Sequence, residues 1–517
     1  MRESSNEKLT SVVKNGGLLV LAGLFAKILS AIYKVPFQNW TGDEGFYVYQ
    51  QIYPFYALLV AFSLNSFPLI VAKLLIEKRN DECHYWLRQL SFWLSFFGVC
   101  SFAIFYFGGE KIALLMGNTH LHEALKSLSW ACLIFPFLTL FRGFFQAQDN
   151  TFPTSISQMA EQTIRVGILL VVAHHFQTNN IYQMGQIAYH SVWVSALGAL
   201  IILLYFYRKL SMSSVGNIAS FKFDLKFGGQ LLTEGLLLTG LNSLLILLQM
   251  IDSLNVFQML KNSGMTTSSA MIQKGIYDRG QPLIQVGLVI VGAICATMLP
   301  QMRKAFISLE RDVWHKQKDI LIRMVTLFAF SAAIGLYAIM PYVNQALFES
   351  SEGNQALALY SLNILWMSLI QLSYTINMSM GHGKVALISV IIGCLTKWLA
   401  NSLLIPHFGI WGASLATNLA LIFALTGLWM AADAGVIGSL KKSNYLLKIL
   451  AMMPVLYIFA HWVPAFMSGF LPTNDRLASL LQAGIGVGLG VIVMLVGSYY
   501  LGLIEKSWLK NIRKERQ

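Results

Sequence analysis

The chain has 517 residues, of which 56% are hydrophobic and only 12% are charged, and its formal net charge is +13. About a quarter of the residues in an ordinary soluble domain are charged, so this composition excludes a typical soluble protein. A positive net charge alone would suit a nucleic-acid binder, but the basic residues are distributed in a way that argues against one. The composition is that of a polytopic membrane protein.

Continuous apolar runs predict an all-α fold with about fourteen transmembrane helices, since about 20 apolar residues cross a bilayer core. Strands of a membrane β-barrel would alternate polar and apolar residues over about ten positions, and these runs do not. The predicted helices cover residues 15–37, 46–76, 84–108, 122–146, 153–175, 180–207, 229–259, 279–303, 317–340, 355–380, 383–404, 411–435, 445–467 and 476–503.

Lysine and arginine cluster in alternate predicted loops. The clusters are Lys78, Arg79 and Arg88; Arg208, Lys209, Lys222 and Lys226; Arg303, Lys304, Arg311, Lys316 and Lys318; Lys441, Lys442 and Lys448; and the C-terminal segment LKNIRKERQ. The intervening loops 174–180 and 341–354 contain no lysine or arginine. This is the positive-inside pattern of a multi-pass protein, and it predicts that both termini are cytoplasmic.

A weak internal repeat predicts two similar halves. GFYVYQQIYPF starts at Gly45 and GIYDRGQPL starts at Gly275, 230 residues later, while Arg165 precedes Lys397 by 232 residues. We therefore predict a six-helix bundle at 1–207, a basic cytoplasmic linker at 208–228 and a second six-helix bundle at 229–437. Residues 438–517 would add two helices and a basic tail. Transporters often have such repeats, with the substrate bound near the membrane midplane.

Several ionisable residues fall inside predicted helices, where each costs on the order of 2.5–3.5 kcal/mol on insertion scales. Lys27 and Lys397 have no acidic residue at helical spacing, so we expect them to face a cavity. Glu161 lies four residues before Arg165, and the pair could neutralise each other or contact substrate. For Asp252 we expect a structural pairing with a lysine or arginine of a neighbouring helix.

Arg279 lies in GIYDRGQPLIQVG, at the entrance of the eighth predicted helix. An arginine at such a position is often a snorkelling anchor. The repeat instead places this one on the external side, where the loops have few basic residues. We interpret Arg279 as facing the cavity, with Asp278 tempering its charge and Pro282 starting the helix.

The cations Lys27, Arg165, Arg279 and Lys397 outnumber the clearly embedded acids, which predicts an anionic ligand. Phosphate suits such a site, because arginine presents a planar fork and lysine a compact charge. Drug and cation antiporters would instead need embedded carboxylates. A non-transporting scaffold would not require charges at the midplane.

Motifs of soluble enzymes are absent from the sequence. There is no GxxxxGK[ST] loop, no HExxH and no CxxC pair among the five cysteines, so we predict neither a cofactor nor a metal site. A membrane glycosyltransferase would need a carboxylate base beside a substantial pocket, and the predicted external loops are short. That alternative is therefore disfavoured but stays open.

Three segments resemble one family of membrane transporters. They are AKILSAIYKVPFQNWTG at 26–42, MAEQTIRV at 159–166 and YDRGQPL at 277–283. They resemble the MurJ-like and stage V sporulation protein B-like group of lipid-linked oligosaccharide flippases, within the multidrug/oligosaccharidyl-lipid/polysaccharide exporter superfamily, and the likeness covers essentially the whole chain.

The resemblance implies a transporter of the bacterial cytoplasmic membrane that inverts lipid II, the undecaprenyl-diphosphate peptidoglycan precursor, by alternating access. It implies that Lys27 and Arg279 meet the diphosphate, and that cell-wall synthesis proteins are partners. A flippase for another polyprenyl-diphosphate-linked glycan would have the same features. The resemblance leaves open whether an ion or the membrane potential drives transport.

The sequence also departs from the family pattern. Where MurJ members have a second arginine followed by aspartate in the first helix, this chain has Tyr33 and Lys34, and paired arginines of the second helix would fall near Leu58 and Leu59. Some members have an asparagine and an aspartate of a sodium site four residues apart. The counterparts here are Lys397 and Asn401, which suggests that the ammonium group replaces the ion.

Overall fold

The computed structural model describes residues 19, 21–77, 83–209, 224–432, 435–441, 444–467 and 475–503. Within these ranges every regular element is a helix, so the predicted all-α class is confirmed. Twelve helical segments are long and apolar enough to cross a membrane. Most of the predicted basic linker (210–223), the basic tail (504–517) and Lys78, Arg79 and Lys442 lie outside the described residues.

The helices are numbered in chain order. They are α1 (21–32), α2 (Lys34–Val60), α3 (Phe67–Glu77), α4 (Cys83–Leu115), α5 (His122–Ala147), α6 (Phe152–Phe176), α7 (Ile181–Lys209), α8 (Leu225–Asn242), α9 (Leu244–Asn262), α10 (Thr267–Asp278), α11 (Gly280–Ile307), α12 (Arg311–Phe348), α13 (Asn354–Ser361), α14 (Asn363–Ser379), α15 (Ala386–Ala431), α16 (Val436–Lys441), α17 (Tyr445–Met467) and α18 (Arg476–Tyr500). A short π-helical segment, Ala61–Ser66, joins α2 to α3.

Two long segments, Leu21–Glu77 and Gly383–Ala431, each contain two of the predicted transmembrane helices. A straight 46-residue α15 would be about 69 Å long at 1.5 Å per residue, more than twice the bilayer core. Gly409 interrupts it with φ 55° and ψ −137°, and Gly42 interrupts the first segment with φ 67° and ψ −179°. These conformations favour glycine strongly. Counting each of these two segments twice among the 12 brings the number of spans to the predicted fourteen.

The seventh predicted helix, 229–259, is not continuous. α8 ends at Asn242, and α9 begins at Leu244 after Ser243 adopts φ −118° and ψ 19°. The sequence there, Gly240 to Ser243, contains glycine, asparagine and serine, which are poor helix formers. The apolar pattern alone did not reveal this break.

The described helices form two compact units, Met1–Asp278 and Arg279–Gln517. In the first unit, α5 packs against α3, α4 and α7, while α2 packs against α6, α7, α9 and α10. In the second, α12 packs against α11, α14, α17 and α18. Residues 229–278, which the repeat assigns to the second bundle, group here with the first unit because α9 and α10 pack on α2. The bundle limits inferred from the repeat stay a prediction.

A close approach between α2 and α10 depends on Gly275. A Cβ atom at this position would overlap the main-chain carbonyl group of Asp43, and a main-chain atom moves aside less easily than a flexible side chain. Gly275 is also the first residue of the second repeat copy. The glycine therefore sets the distance between two helices that carry polar residues of the first unit.

We predict that Gly275→Ala lowers the thermal stability of the detergent-purified protein, because overpacking a close contact costs about 1–3 kcal/mol. The matched control is Gly167→Ala in α6, where a Cβ would meet nothing within 4 Å. Alanine is the better helix former, so the control should unfold at the same or a higher temperature. Equal unfolding temperatures for both variants would contradict the close approach.

Candidate functional site

The first unit contains a buried group of charged and tyrosine side chains, which we call the N-terminal polar cluster. Its helices are α2, α5, α6, α7, α9 and α10, which place ionisable groups side by side inside an apolar unit. Its members are Tyr33, Lys34, Tyr49, Tyr53, Tyr56, Arg142, Glu161, Arg165, Tyr189, Asp252, Lys274, Tyr277 and Asp278, all buried.

Glu161 forms an ion pair with Arg142 of α5. The distance from Arg142 Nη2 to Glu161 Oε2 is 2.6 Å, and the two side chains are 0% and 1% exposed. Arg142 Nε also donates to Ser157 Oγ at 3.2 Å. The i, i+4 spacing suggested Arg165 as the neutralising partner of Glu161, whereas the structure gives this role to Arg142. Sequence analysis missed Arg142, although it lies inside a predicted span.

Arg165 is held by neutral groups. Its guanidinium donates to the Tyr49 hydroxyl at 3.3 Å and to Gln162 Oε1 at 3.1 Å. It also lies over the rings of Tyr56, at 4.5 Å from the centroid, and Tyr33, at 5.4 Å. Among the residues the structure describes, Nε of Arg165 has no hydrogen-bond partner. Cation–π contacts thus accompany the hydrogen bonds around this buried charge.

Lys34 lies in the same aromatic surroundings. Its side chain is 0% exposed, and Nζ is 3.7 Å from the centroid of the Tyr53 ring. Within the described ranges, Nζ has no hydrogen-bond acceptor. Neighbouring tyrosines bond to each other and to the backbone: the Tyr33 and Tyr49 hydroxyls are 2.6 Å apart, and the Tyr189 hydroxyl donates to the Tyr49 carbonyl at 2.6 Å. Sequence analysis noted Lys34 only as a departure from the family pattern.

The acidic residues Asp252 and Asp278 both accept hydrogen bonds from side chains of α10. Lys274 Nζ donates to both carboxylate oxygens of Asp278, at 2.6 and 2.7 Å. Asp278 was predicted to temper Arg279. Asp252 accepts a hydrogen bond from the Tyr277 hydroxyl at 2.9 Å. Its pairing with a lysine or arginine of a neighbouring helix stays a prediction.

Charges in the cluster nearly balance. The cations Lys34, Arg142, Arg165 and Lys274 stand against the acids Glu161, Asp252 and Asp278, which leaves one positive charge if all are ionised. We predicted a cavity lined by the cations Lys27, Arg165, Arg279 and Lys397. Of these four residues, Arg165 alone belongs to the N-terminal polar cluster. The hydrogen-bonding capacity still available on Lys34 and Arg165 suits an anion with several oxygen acceptors.

Two predicted cations belong to the second unit. Arg279 is 2% exposed, donates to Asn344 Oδ1 at 3.2 Å and lies 5.4 Å from the centroid of the Phe348 ring. Asn344 is oriented by Asn354, whose Oδ1 accepts its amide proton at 2.8 Å. Arg279 is therefore buried against the end of α12, and its position facing a cavity stays a prediction.

Lys397 is also buried, at 0% exposure. Its ammonium group donates to Thr417 Oγ1 at 2.6 Å and to the Ala413 carbonyl at 3.2 Å. Both acceptors follow Gly409, so the lysine connects the two halves of α15. Asn401, one turn after Lys397, is buried as well.

Lys27 differs from the other predicted site residues because it is exposed on α1. It is not one of the buried residues of the N-terminal polar cluster. In the described part of the chain, no group of three or more histidine, cysteine, aspartate or glutamate residues is arranged to hold a metal ion.

Comparison with known proteins places these features in a family. Residues 12–306 match the family model described as polysaccharide biosynthesis protein. The chain is 32% identical to the uncharacterized membrane protein YabM of Bacillus subtilis (strain 168), over 99% of this chain and 97% of that protein. It is 23% identical to the lipid II flippase MurJ of the same strain, over 95% of both chains.

Solved structures share the fold. A lipid II flippase MurJ in an inward closed conformation superimposes with a TM-score of 0.68 at 14% identity, covering 94% of this chain and 99% of that one. A multidrug-resistance MATE family transporter in an inward-facing conformation gives 0.63 at 11% identity, covering 81% and 96%.

Fold and relatives define a multi-pass membrane transporter, not an enzyme, with the architecture of the exporter superfamily that includes MurJ and MATE proteins. More particularly, the chain belongs to the polysaccharide biosynthesis protein family. The resemblance found in the sequence is thereby confirmed.

We predict that Glu161→Gln destabilises the protein by about 3–5 kcal/mol, because it leaves the Arg142 guanidinium buried without its counter-ion. The control is Glu123→Gln, which breaks the partly exposed pair with Lys126, 3.1 Å long, and should cost about 1 kcal/mol or less. Chemical unfolding of the purified variants measures both values. Similar losses for the two variants would contradict a buried pair.

Proposed function

We propose that this protein is a flippase that carries a polyprenyl-diphosphate-linked glycan across the bacterial cytoplasmic membrane, with lipid II as its substrate. Family membership and the transporter fold support the lipid-linked class. The observation that carries the choice of an anionic substrate is the N-terminal polar cluster, in which neutral side chains surround the buried cation Arg165.

A diphosphate suits the unused binding capacity of this cluster. Arg165 presents a free Nε and Lys34 a free Nζ among the described residues, and both lie in aromatic surroundings of low polarity. Electrostatic attraction to an anion is stronger there than in water. An arginine fork and a lysine point charge together would match the phosphate oxygens. For Arg279, in the second unit, we propose the contact with the diphosphate that the family resemblance implies.

MATE structures share the fold, so a cationic drug is the competing substrate. Such a substrate needs carboxylates to receive it. Glu161 is paired with Arg142, and both oxygens of Asp278 accept bonds from Lys274. The acidic residues are already engaged, which favours an anion over a cation.

An anionic headgroup gives the membrane potential a direct role. An inside-negative potential favours outward movement by about 2.3 kcal/mol per charge for each 100 mV, if the charge crosses the full field. We propose alternating access as the transport cycle, as in other transporters with repeats. Both termini would be cytoplasmic, in agreement with the positive-inside pattern.

A rescue experiment tests the substrate. Depletion of a bacterium's own lipid II flippase, with this chain expressed in its place, should restore lipid II on the outer leaflet, measured by its accessibility to an external probe. Arg165→Gln and Arg279→Ala should abolish rescue at equal membrane levels, and the exposed Lys226→Ala control should retain it. Rescue by Arg279→Ala would refute its diphosphate role. Absence of rescue by the well-expressed native chain would indicate another polyprenyl-linked glycan.

We further propose that Lys397 replaces a coupling cation. Its ammonium group donates to a carbonyl and a hydroxyl oxygen, which are the ligand types that bind hard metal cations. Transport by vesicles containing the protein should therefore proceed at the same rate when sodium is exchanged for potassium. Sodium-dependent transport that disappears in Asn401→Ala or Asp252→Asn would contradict this role.

A further inference from the structure

Lys34 differs from the other cations of the N-terminal polar cluster because its Nζ has no hydrogen-bond acceptor among the described residues. The side chain is 0% exposed, and Nζ lies 3.7 Å from the centroid of the Tyr53 ring. An ammonium group has three N–H donors, and burying it without acceptors is far more costly than burying a neutral amine. A ring face compensates for only part of that cost.

The charges around Lys34 also favour its neutral form. The buried titratable and charged groups on the helices of the cluster, besides Lys34, are Tyr47, Tyr49, Tyr53 and Tyr56 on α2 with Tyr33 just before it, Cys132 and Arg142 on α5, Glu161 and Arg165 on α6, Tyr189 on α7, Asp252 on α9, and Lys274, Tyr277 and Asp278 on α10. Three cations, Arg142, Arg165 and Lys274, balance three acids, Glu161, Asp252 and Asp278. If Lys34 is neutral, the net charge of the cluster is zero. If Lys34 is protonated, the net charge is +1.

We infer that Lys34 is a proton-binding site that couples substrate binding to proton uptake. In the arrangement described here, Lys34 is a neutral amine. When the anionic group of a substrate enters the cluster, Nζ takes one proton from water and becomes an ammonium ion, and it returns the proton after the anion leaves. The inference rests on the proposed function in one respect, the negative charge of the substrate.

The coupling follows from charge balance. A diphosphate adds negative charge and oxygen acceptors to a cluster that is otherwise neutral, so the ammonium form gains both a counter-ion and hydrogen bonds. Arg165 cannot play this part, because a guanidinium group stays protonated in proteins. Lys34 is therefore the cation of this cluster whose charge responds to the ligand.

The first test needs no substrate. Unfolding of the full-length protein in detergent is measured from about pH 6 to about pH 9, for the native chain and for Lys34→Met, which is neutral and of similar length. A lysine that is neutral when folded gains a proton on unfolding below about pH 10.4, so stability rises with pH. The unfolding constant of the native chain, relative to Lys34→Met, should fall up to about tenfold per pH unit.

Lys226→Met is the matched control, since Lys226 is an exposed lysine on α8. Its unfolding constant relative to the native chain should not change with pH. A flat comparison for Lys34→Met as well would overturn the inference, because it would mean that the folded protein keeps Lys34 charged.

The second test measures the coupling with a radiolabelled short-chain polyprenyl diphosphate in weakly buffered detergent solution containing a pH indicator. The native chain should take up about one more proton per bound molecule than Lys34→Met, or than Lys34→Arg, whose charge is permanent. Binding to all three proteins with equal proton uptake would refute the proton site and leave the flippase proposal intact. Failure of the native chain to bind the probe would refute the anionic substrate, and the coupling with it.

Discussion

Burial of charge within apolar surroundings is the constraint on which the first unit depends. Each ionised group there needs a counter-ion or hydrogen bonds inside the protein, because the bilayer core supplies neither. Arg142 with Glu161, and Lys274 with Asp278, meet this requirement as direct pairs. Arg165 meets it through the Tyr49 hydroxyl, Gln162 and aromatic faces, an arrangement that leaves its Nε without a hydrogen-bond partner among the described residues. Packing of α2 against α6, α7, α9 and α10 follows from gathering these groups.

Glycine residues with unusual backbone geometry or close contacts allow these charged side chains to come together. Gly42 turns the chain so that the α2 residues before and after it can face each other, as Lys34 and Tyr53 do. Gly275 lets α10 approach the main chain at Asp43, which brings Lys274 and Asp278 into the first unit. Gly409 has a corresponding part in the second unit, where it allows Lys397 to reach Ala413 and Thr417. A few conformationally permissive positions thus control where the charged side chains meet.

These arrangements suggest how the protein could bind the anionic headgroup that we propose as its substrate. The ion pair of Arg142 and Glu161 joins α5 to α6, while Lys34 and Arg165 keep hydrogen-bonding capacity for a ligand. If Lys34 is neutral until an anion arrives, the empty cluster avoids the cost of an uncompensated charge. Proton uptake would then accompany the binding of the headgroup.

The sequence by itself determined the helical class, the number of spans and the family. Long apolar runs leave only helices as spanning elements, since each backbone polar group must be satisfied within its own segment. It also identified Arg165, Asp252, Arg279 and Lys397 as embedded ionisable residues. It did not identify Lys274, which lies between the predicted spans 229–259 and 279–303, whereas residues 267–278 form α10.

Only the tertiary structure decided which charges meet. The i, i+4 rule correctly describes neighbours on one helix, and Lys274 and Asp278 obey it. Glu161 forms its ion pair with Arg142, 19 positions away on α5, and not with Arg165 on its own helix. Lys34 lies against Tyr53 because the chain turns back between them. The periodicity of the sequence predicts only which residues are neighbours on the same helix. Contacts between helices depend on how the helices pack and where the chain turns back, and no local sequence pattern specifies these.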